Sequence, residues 1–185
     1  MARNVEFFFD FGSPASYLAY TQLPRIAAEC AASIVWRPML LGGVFKATGN
    51  SSPVTVPAKG RWMFDDLNRW AKRYGVQFVH NPHFPLNTLT LMRIAIGLQS
   101  ARPDDFARYC DAVFAAIWRD RCNLGDPVQL AATLSQAGLD AEPRSKFPAW
   151  MFAQMNVLKR RPSEAEERAE IAAADPVARS RNPLT

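Results

Sequence analysis

The stretch from Val5 to Tyr17 reads VEFFFDFGSPASY, and it decides how the fold begins. Its first part, Val5–Phe9, is a short apolar run rich in aromatic residues, which predicts a buried strand. A turn follows at Asp10–Pro14, where glycine supplies backbone freedom and proline suits the first position of a helix. This order predicts a strand that passes through a tight turn directly into a helix.

The next part of the chain adds a second strand. Apolar residues recur at helical spacing in Ala15–Cys30, and Ser33–Pro38 is another short run in which Ile34 and Trp36 share one face. Strand, helix and strand in this order form a unit whose strands are parallel and joined by a right-handed crossover. The opening is therefore typical of a thioredoxin-like or other α/β sheet.

The middle of the chain is predicted to be helical after a long loop. The stretch Leu40–Gly60 contains several glycines and prolines and is expected to be irregular, and loops of that length are usually functional or disordered. Helical periodicity returns in Arg61–Tyr74, which Gly75 would end as a C-cap glycine. Further helical patterns cover Asn87–Trp118, with a break at Arg102–Asp105, and then Asp126–Gly138.

We accordingly divide the chain into three parts. Residues 1–60 form the thioredoxin-like βαβ part with the active-site loop, residues 61–141 form an all-helical insertion, and residues 142–185 form an atypical tail. The tail has no glycine, contains five prolines and offers one credible helix at Ser163–Ala174. We expect it to be poorly packed and the C-terminal part of the sheet to be incomplete.

Composition places the chain among ordinary globular proteins. Of its 185 residues, 49% are hydrophobic and 21% are charged, which suffices for a core without disulfide bonds. No apolar run approaches the roughly 20 residues that span a bilayer, and the acids Glu6 and Asp10 do not suit a secretory signal. The basic residues behind the net charge of +5 are scattered. We expect a cytoplasmic enzyme with neither membrane nor nucleic-acid partners.

Cysteine and histidine spacing argues against metal and dithiol chemistry. The three cysteines, Cys30, Cys110 and Cys122, lie far apart, and no Cys-x-x-Cys occurs. The two histidines, His80 and His83, share one short loop. We therefore expect no metal site and no dithiol redox centre.

Ser13 is the residue with the strongest chemical signal. It stands at the predicted N-terminus of the first helix, where free backbone N–H groups and the helix dipole favour an anion. A thiolate bonded to the Ser13 hydroxyl would be stabilised there, as cysteine thiolates are at helix N-termini. The alternative is that Ser13 only caps the helix, which is a common role for serine before proline.

Several ordered motifs accompany Ser13, namely DFGSPASYLA at 10–19, GGVFKATGN at 42–50, PAKGR at 57–61, DLNRWA at 66–71 and NPHFPLNT at 81–88. Together they resemble the 2-hydroxychromene-2-carboxylate isomerases. These enzymes belong to the kappa-class glutathione transferase group within the DsbA-like thioredoxin superfamily. The resemblance runs from about Val5 to Ala141.

The resemblance implies an activity and a cofactor. Members isomerise 2-hydroxychromene-2-carboxylate to trans-o-hydroxybenzylidenepyruvate during bacterial degradation of naphthalene-type aromatic compounds, with glutathione as cofactor. It implies that the glutathione thiolate adds reversibly to the unsaturated ring system, which is covalent catalysis by a borrowed nucleophile. It also implies a homodimer. Among the site residues, Ser13 would be catalytic by bonding the glutathione sulfur, and Pro14 and Lys59 would also contact glutathione.

The substrate residues are implied in the same way. Lys46 would pair with the substrate carboxylate, as a compact cation does, and Asn50 lies in the same loop. Phe84 would pack against the chromene ring, with Asn87 nearby. Judged from the residues alone, Lys46 and Lys59 are equally consistent with ordinary surface lysines and Phe84 with a core residue.

Three other residues on helical stripes, Trp70, Trp118 and Met92, are predicted to lie in the core. His83, in its proline-flanked loop, is interpreted as a local hydrogen-bonding residue rather than a general base.

The sequence after Ala141 leaves several functions open. Family members return after the insertion with a Gly-Val-Pro-Thr-Phe-like segment whose cis-proline loop binds glutathione, and nothing after Ala141 resembles it. A change of reading frame near codon 141 would produce such a tail. The alternatives are a kappa-like glutathione transferase, a DsbA-like oxidoreductase, which Ser13 in the cysteine position disfavours, and a truncated inactive relative.

Overall fold

A computed structural model describes residues 3–139, and within them the backbone starts as a βαβ unit. Strand β1, Arg3–Phe9, and strand β2, Ala32–Pro38, pair in parallel, with Val5 opposite Ile34. The predicted parallel pairing is confirmed. Helix α1, Pro14–Glu29, connects the two strands, so the thioredoxin-like start of the fold is present.

The first strand is less buried than its apolar sequence predicts. Only Phe9 of β1 is fully buried, whereas the side chain of Phe8 is 55% exposed. Successive side chains of a strand point to opposite faces, and in the described part of the chain β1 pairs with β2 alone. Within residues 3–139, one face of β1 therefore packs on the core while the other stays open, and the prediction of a buried strand was wrong.

Helices make up most of the remaining described chain. They are α2, Leu41–Thr48; α3, Pro57–Tyr74; α4, Leu89–Ala101; α5, Pro103–Trp118; and α6, Pro127–Gln136, with a short 3₁₀ turn at Pro53–Thr55. Helix α3 ends at Gly75 with φ 66°, a left-handed conformation that favours glycine. The predicted helices after Arg61 and the Gly75 cap are confirmed. The predicted break at Arg102–Asp105 is confirmed at Arg102 only, because α5 already begins at Pro103. No helix of residues 3–139 is long and apolar enough to cross a membrane.

The expected long loop at Leu40–Gly60 was wrong. Most of it is helical, because α2 occupies its first half and α3 begins at Pro57, four residues before the predicted start. Two adjacent glycines in α2 weaken its helical signal, although Leu41, Val44 and Phe45 keep an apolar face.

The core is built from aromatic residues of β1, its following turn and α5. Phe11 packs edge-on against Phe114 with ring centroids 4.8 Å apart, and Trp118 is fully buried. The predicted burial of Trp118 and Met92 is confirmed. That of Trp70 was wrong: its side chain is 43% exposed, because α3 turns Leu67 and Ala71 inward instead.

The predictions for the tail, including the helix at Ser163–Ala174, the missing cis-proline segment and the incomplete sheet end, fall outside the described residues. The division of the chain at residues 60 and 141 stays a prediction.

Candidate active site

Ser13 is the N-cap of α1, and its geometry leaves one hydrogen for a ligand. Its backbone is extended, and its hydroxyl oxygen accepts from the Ser16 N–H at 3.1 Å. A serine hydroxyl that accepts a bond still has its own hydrogen to donate, and no acceptor for that hydrogen occurs in residues 3–139. Ser13 therefore caps the helix, and this cap leaves its hydrogen available, so capping and donation to a ligand are compatible.

The start of α1 is electrostatically suited to an anion. Its first turn contains no acidic residue, and the nearby carboxylate of Asp10, in the preceding turn, already accepts hydrogen bonds from Gly12, Leu41 and Thr88. Pro14 occupies the first helical position and is buried, where its lack of an N–H leaves no donor unpaired. Pro14 thus shapes the helix start, and Ser13 supplies the hydroxyl donor there.

The protein's own thiols are poorly placed to act as nucleophiles at this point. Burial raises the pKa of the Cys110 thiol far above its usual range, and burial also raises the pKa of the Cys122 thiol. Cys30 caps the opposite end of the 16-residue helix α1, about 24 Å from Ser13. None of the three thiols is hydrogen-bonded to Ser13.

Asp10 is a functional candidate that the sequence reasoning missed. The residue is only 2% exposed, and its carboxylate accepts three hydrogen bonds. Oδ1 accepts from the Gly12 N–H at 2.8 Å and from the Thr88 hydroxyl at 2.7 Å, and Oδ2 accepts from the Leu41 N–H at 2.7 Å. An Asp two residues before a Gly is a recognisable turn signal for the first bond. The bonds from Leu41 and Thr88 have no such signal, because these residues lie far from Asp10 in the sequence.

Lys46 lies in the last turn of α2, where its side chain is exposed. The helix ends at Gly49 with φ 68°, and Asn50 follows with its N–H bonded to the Phe45 carbonyl at 3.0 Å. The exposed Asn50 side chain accepts from the Ser51 N–H at 2.8 Å. Lys46 forms no salt bridge with any residue of the described range, so its charge is available to an anion.

Lys59 is exposed in the first turn of α3. The helix dipole disfavours a cation at that end, so positive potential is concentrated there. Residue Gly60 fixes the turn against the 3₁₀ segment, since a Cβ on it would come within 3.3 Å of Val54 Cα. The structure shows no contact between Lys59 and the Ser13 turn.

The loop that carries His83 and Phe84 is held by Asn81, another residue that the sequence reasoning missed. Asn81 is fully buried, and its side-chain nitrogen donates to the carbonyls of Ile117, at 2.9 Å, and Cys122, at 3.0 Å. Its side-chain oxygen accepts from the His83 N–H at 2.8 Å. This bond involves only the backbone of His83, so the interpretation of its side chain stays a prediction.

Phe84 is half-buried and packs with aromatic neighbours. Its ring centroid lies 5.8 Å from that of Phe64 and 5.7 Å from that of Trp118. The Trp118 indole N–H in turn donates to the Phe11 carbonyl at 2.8 Å, which links these rings to the turn before Ser13. Asn87 is exposed, and its side-chain oxygen accepts from the Leu89 N–H at 3.1 Å at the start of α4.

The structure thus connects three of the predicted segments through Asp10: the Ser13 turn, the start of α2, which carries Lys46, and Thr88, which follows Asn87. Tyr17, by contrast, is engaged elsewhere, because its hydroxyl donates to the Gln77 carbonyl at 2.8 Å and burial raises its pKa. The roles of the individual site residues stay predictions.

The amino-acid sequence is similar to those of known proteins. The model of the DSBA-like thioredoxin domain matches residues 4–168, so the similarity continues past Ala141. The chain is 30% identical over 149 residues to 2-hydroxychromene-2-carboxylate isomerase of Sphingobium xenophagum, covering 80% of this chain and 74% of that protein. It is 28% identical to human glutathione S-transferase kappa 1, covering 77% of this chain and 65% of that protein.

A third relative and a solved structure agree. The isomerase of Pseudomonas putida is 36% identical over 117 residues, which cover 62% of this chain and 55% of that protein. A solved structure of 2-hydroxychromene-2-carboxylate isomerase aligns with a TM-score of 0.60 at 30% identity, covering 92% of this chain and 78% of that one. The chain thus spans between about half and three quarters of these relatives.

Proposed function

We propose that this chain, which belongs to the DSBA-like thioredoxin domain family, catalyses the glutathione-dependent isomerisation of 2-hydroxychromene-2-carboxylate to trans-o-hydroxybenzylidenepyruvate. Its relatives are isomerases and glutathione transferases, and it is an isomerase-type enzyme. The reaction belongs to the degradation of naphthalene-type aromatic compounds. The observation that carries the proposal is the Ser13 hydroxyl, which keeps a hydrogen to donate at the N-terminus of α1.

The residues at this point suit glutathione. Bound there, glutathione would supply a thiolate, the nucleophile that the chain's own cysteines do not provide. Ser13 would donate to the sulfur, and the first turn of α1, free of acidic residues, would stabilise its negative charge. Pro14 holds the turn in place, and the exposed cation of Lys59 offers a partner for a glutathione carboxylate.

The substrate would be held by charge and by an aromatic surface. The exposed ammonium group of Lys46, without a salt-bridge partner in the described part of the chain, can pair with the substrate carboxylate. The Asn50 side chain stands near the end of the same helix. The partly exposed Phe84 ring offers a face for the chromene system, and the exposed Asn87 amide a hydrogen-bonding group close by in sequence.

A homodimer is part of the proposal. On the open face of β1, Phe8 is more than half exposed beside the exposed ion pair of Glu6 with Arg37 of β2, and a second copy could cover this face. Light scattering at micromolar concentration should give twice the mass of one chain, and a stable monomer would contradict this part. Cytoplasmic localisation remains an expectation from the sequence.

The second candidate is glutathione transfer to an electrophile, as the similarity to human glutathione S-transferase kappa 1 suggests. Both activities would use Ser13 in the same way, but they differ in what the thiolate does. In transfer the sulfur stays bonded to the product, whereas in isomerisation glutathione is released unchanged. A DsbA-like oxidoreductase is disfavoured, because a serine stands in the position of the attacking cysteine and no Cys-x-x-Cys occurs.

The deciding experiment follows the absorbance of the chromene carboxylate in the presence of the full chain. Catalytic amounts of glutathione should carry many equivalents of substrate to the isomerisation equilibrium, whereas S-methylglutathione, which lacks a free thiol, should support no conversion. Stoichiometric loss of free thiol, with a sulfur-linked product in the mass spectrum, would favour the transferase. Equal rates with glutathione and S-methylglutathione would contradict both candidates.

A further inference from the structure

The buried carboxylate of Asp10 joins three segments that are far apart in the sequence. Its donors are Gly12 in the turn before Ser13, Leu41 at the first position of α2, and Thr88 at the start of α4. The last two donors lie 31 and 78 residues away along the chain. The backbone carbonyl of Asp10 also accepts from the Ser13 N–H at 2.9 Å. One side chain thus contacts every segment next to Ser13, Lys46 and Asn87.

At Thr88, a hydrogen bond to Asp10 takes the place of the usual side-chain cap of a helix. It is the N-cap residue of α4, a position where threonine usually accepts from the first turn of its own helix. In this protein its side chain makes no capping bond and donates to Asp10 instead. Similarly, α2 has no side-chain cap of its own, because Leu40 stands at its N-cap, and Asp10 accepts from its first N–H.

The turn before Ser13 and the Thr88 side chain are also closely packed. A Cβ at Gly12 would lie 3.0 Å from the Thr88 methyl carbon and 3.4 Å from Asp10 Oδ1. There is consequently little room for the Ser13 turn to move relative to Thr88. The hydrogen bonds from Gly12 and Thr88 to one carboxylate oxygen fix the direction of approach as well as the distance.

We propose that Asp10 is a positioning residue for the reaction. It holds the Ser13 turn, the start of α2 and the Asn87–Thr88 segment in one arrangement, so that the sulfur-binding hydroxyl and the substrate-binding side chains face the same ligands. Asp10 itself is buried, and both of its oxygens are occupied, so it does not touch the reacting atoms. This inference rests on the proposed function for its consequence in catalysis, while the positioning is a property of the protein alone.

Three substitutions test the positioning. Thr88→Val removes the hydroxyl and keeps the shape, whereas Thr88→Ser keeps the hydroxyl and is the matched control. Asp10→Asn keeps the shape but replaces one oxygen by an NH₂ group. In either orientation of that amide, a partly buried backbone N–H, of Leu41 or of Gly12, faces a donor instead of an acceptor. We expect Asp10→Asn to be the more severe change.

The first readout is amide hydrogen exchange of the full chain without ligand. Thr88→Val and Asp10→Asn should speed exchange at Gly12 and Leu41 by about ten-fold or more, the equivalent of one lost hydrogen bond. Amides of the α5 core such as that of Val113 should be unchanged, and Thr88→Ser should match the parent. Unchanged exchange at Gly12 and Leu41, or equal acceleration throughout the protein, would overturn the positioning role.

The second readout is kcat/KM for glutathione-dependent isomerisation, measured per folded molecule well below the unfolding temperature. Thr88→Val should lower it about three- to ten-fold and Asp10→Asn at least ten-fold, with most of the activity kept by Thr88→Ser. Full activity in Asp10→Asn would overturn the catalytic consequence. Should the parent chain itself be inactive, the proposed function fails, and the exchange measurement still decides whether Asp10 positions these segments.

Discussion

Replacing Ser13 by alanine separates a capping residue from a sulfur-binding residue. The change removes the 3.1 Å bond from the Ser16 N–H, and loss of an N-cap side chain costs about 0.5–2 kcal/mol. Helix α1 retains Pro14 at its first position and its buried contacts through Tyr17 and Leu18. We therefore expect a folded protein whose melting temperature falls by about 1–8 °C.

The effect on catalysis should be larger than the effect on folding. A hydrogen bond to a charged group contributes about 1.5–3 kcal/mol, and losing a donor that stabilises developing charge lowers turnover by about ten- to a thousand-fold. The same free energy would raise the thiol pKa of glutathione bound beside Ser13 by about one to two pH units. The activity of Ser13→Ala should accordingly rise at higher pH than that of the parent.

Ser16→Ala is the matched control. Its hydroxyl makes no hydrogen bond within residues 3–139, and its backbone N–H still reaches Ser13. This variant should keep both the parent's stability and its pH profile. The assay follows the chromene carboxylate by absorbance from pH 6 to 9, with the folded fraction from circular dichroism. If Ser13→Ala and the parent turn over equally per folded molecule, with the same pH profile, Ser13 is only a cap and the glutathione–serine hypothesis is refuted.

Three other changes test the rest of the site and the core. Lys46→Ala should raise KM for the chromene carboxylate about ten-fold with kcat nearly unchanged, because the lysine pairs with the substrate carboxylate. Lys46→Arg should recover most of the loss. Equal KM values for Lys46→Ala and the parent would remove Lys46 from the site. In urea unfolding, Trp118→Phe should lower the free energy of unfolding by about 1–3 kcal/mol, because the buried Phe11 carbonyl loses its 2.8 Å donor. An unchanged unfolding midpoint would contradict this. In the native protein at pH 8, a thiol reagent should label the exposed Cys30 and leave Cys110 unmodified. Burial blocks access to Cys110 and raises the pKa of its thiol, so less of the reactive thiolate forms at a given pH. Equal labelling rates in peptide mass spectra would refute this.

Local chemistry alone predicted much of the first third of the chain. The apolar run before Asp10–Pro14, the proline at the helix start and the second apolar run together specified parallel β1 and β2 around α1. The cap at Ser13 and the left-handed Gly75 were also predictable, because each depends on residues within one helical turn. The motifs that identified the family lie mostly in the same local turns and helix starts.

The orientation of α3 shows where periodicity stops being informative. Its apolar residues occupy one broad face, and the pattern does not say which part of that face turns inward. The core accepts Leu67 and Ala71, and Trp70 lies outside against Tyr74, with ring centroids 5.4 Å apart. Helical spacing groups residues into a face, but only the neighbouring elements select which face is buried.

The residues that hold the site together were decided by tertiary structure. Asp10 accepts from Leu41 and Thr88, and Asn81 donates to Ile117, each across more than 30 residues of sequence. A short polar side chain that bonds a distant backbone group has no spacing rule, because its partner is set by how the segments pack. The sequence by itself therefore determined the βαβ start, the caps and the family, whereas only the packed chain selected the buried hydrogen bonds that place Ser13 beside its neighbouring segments.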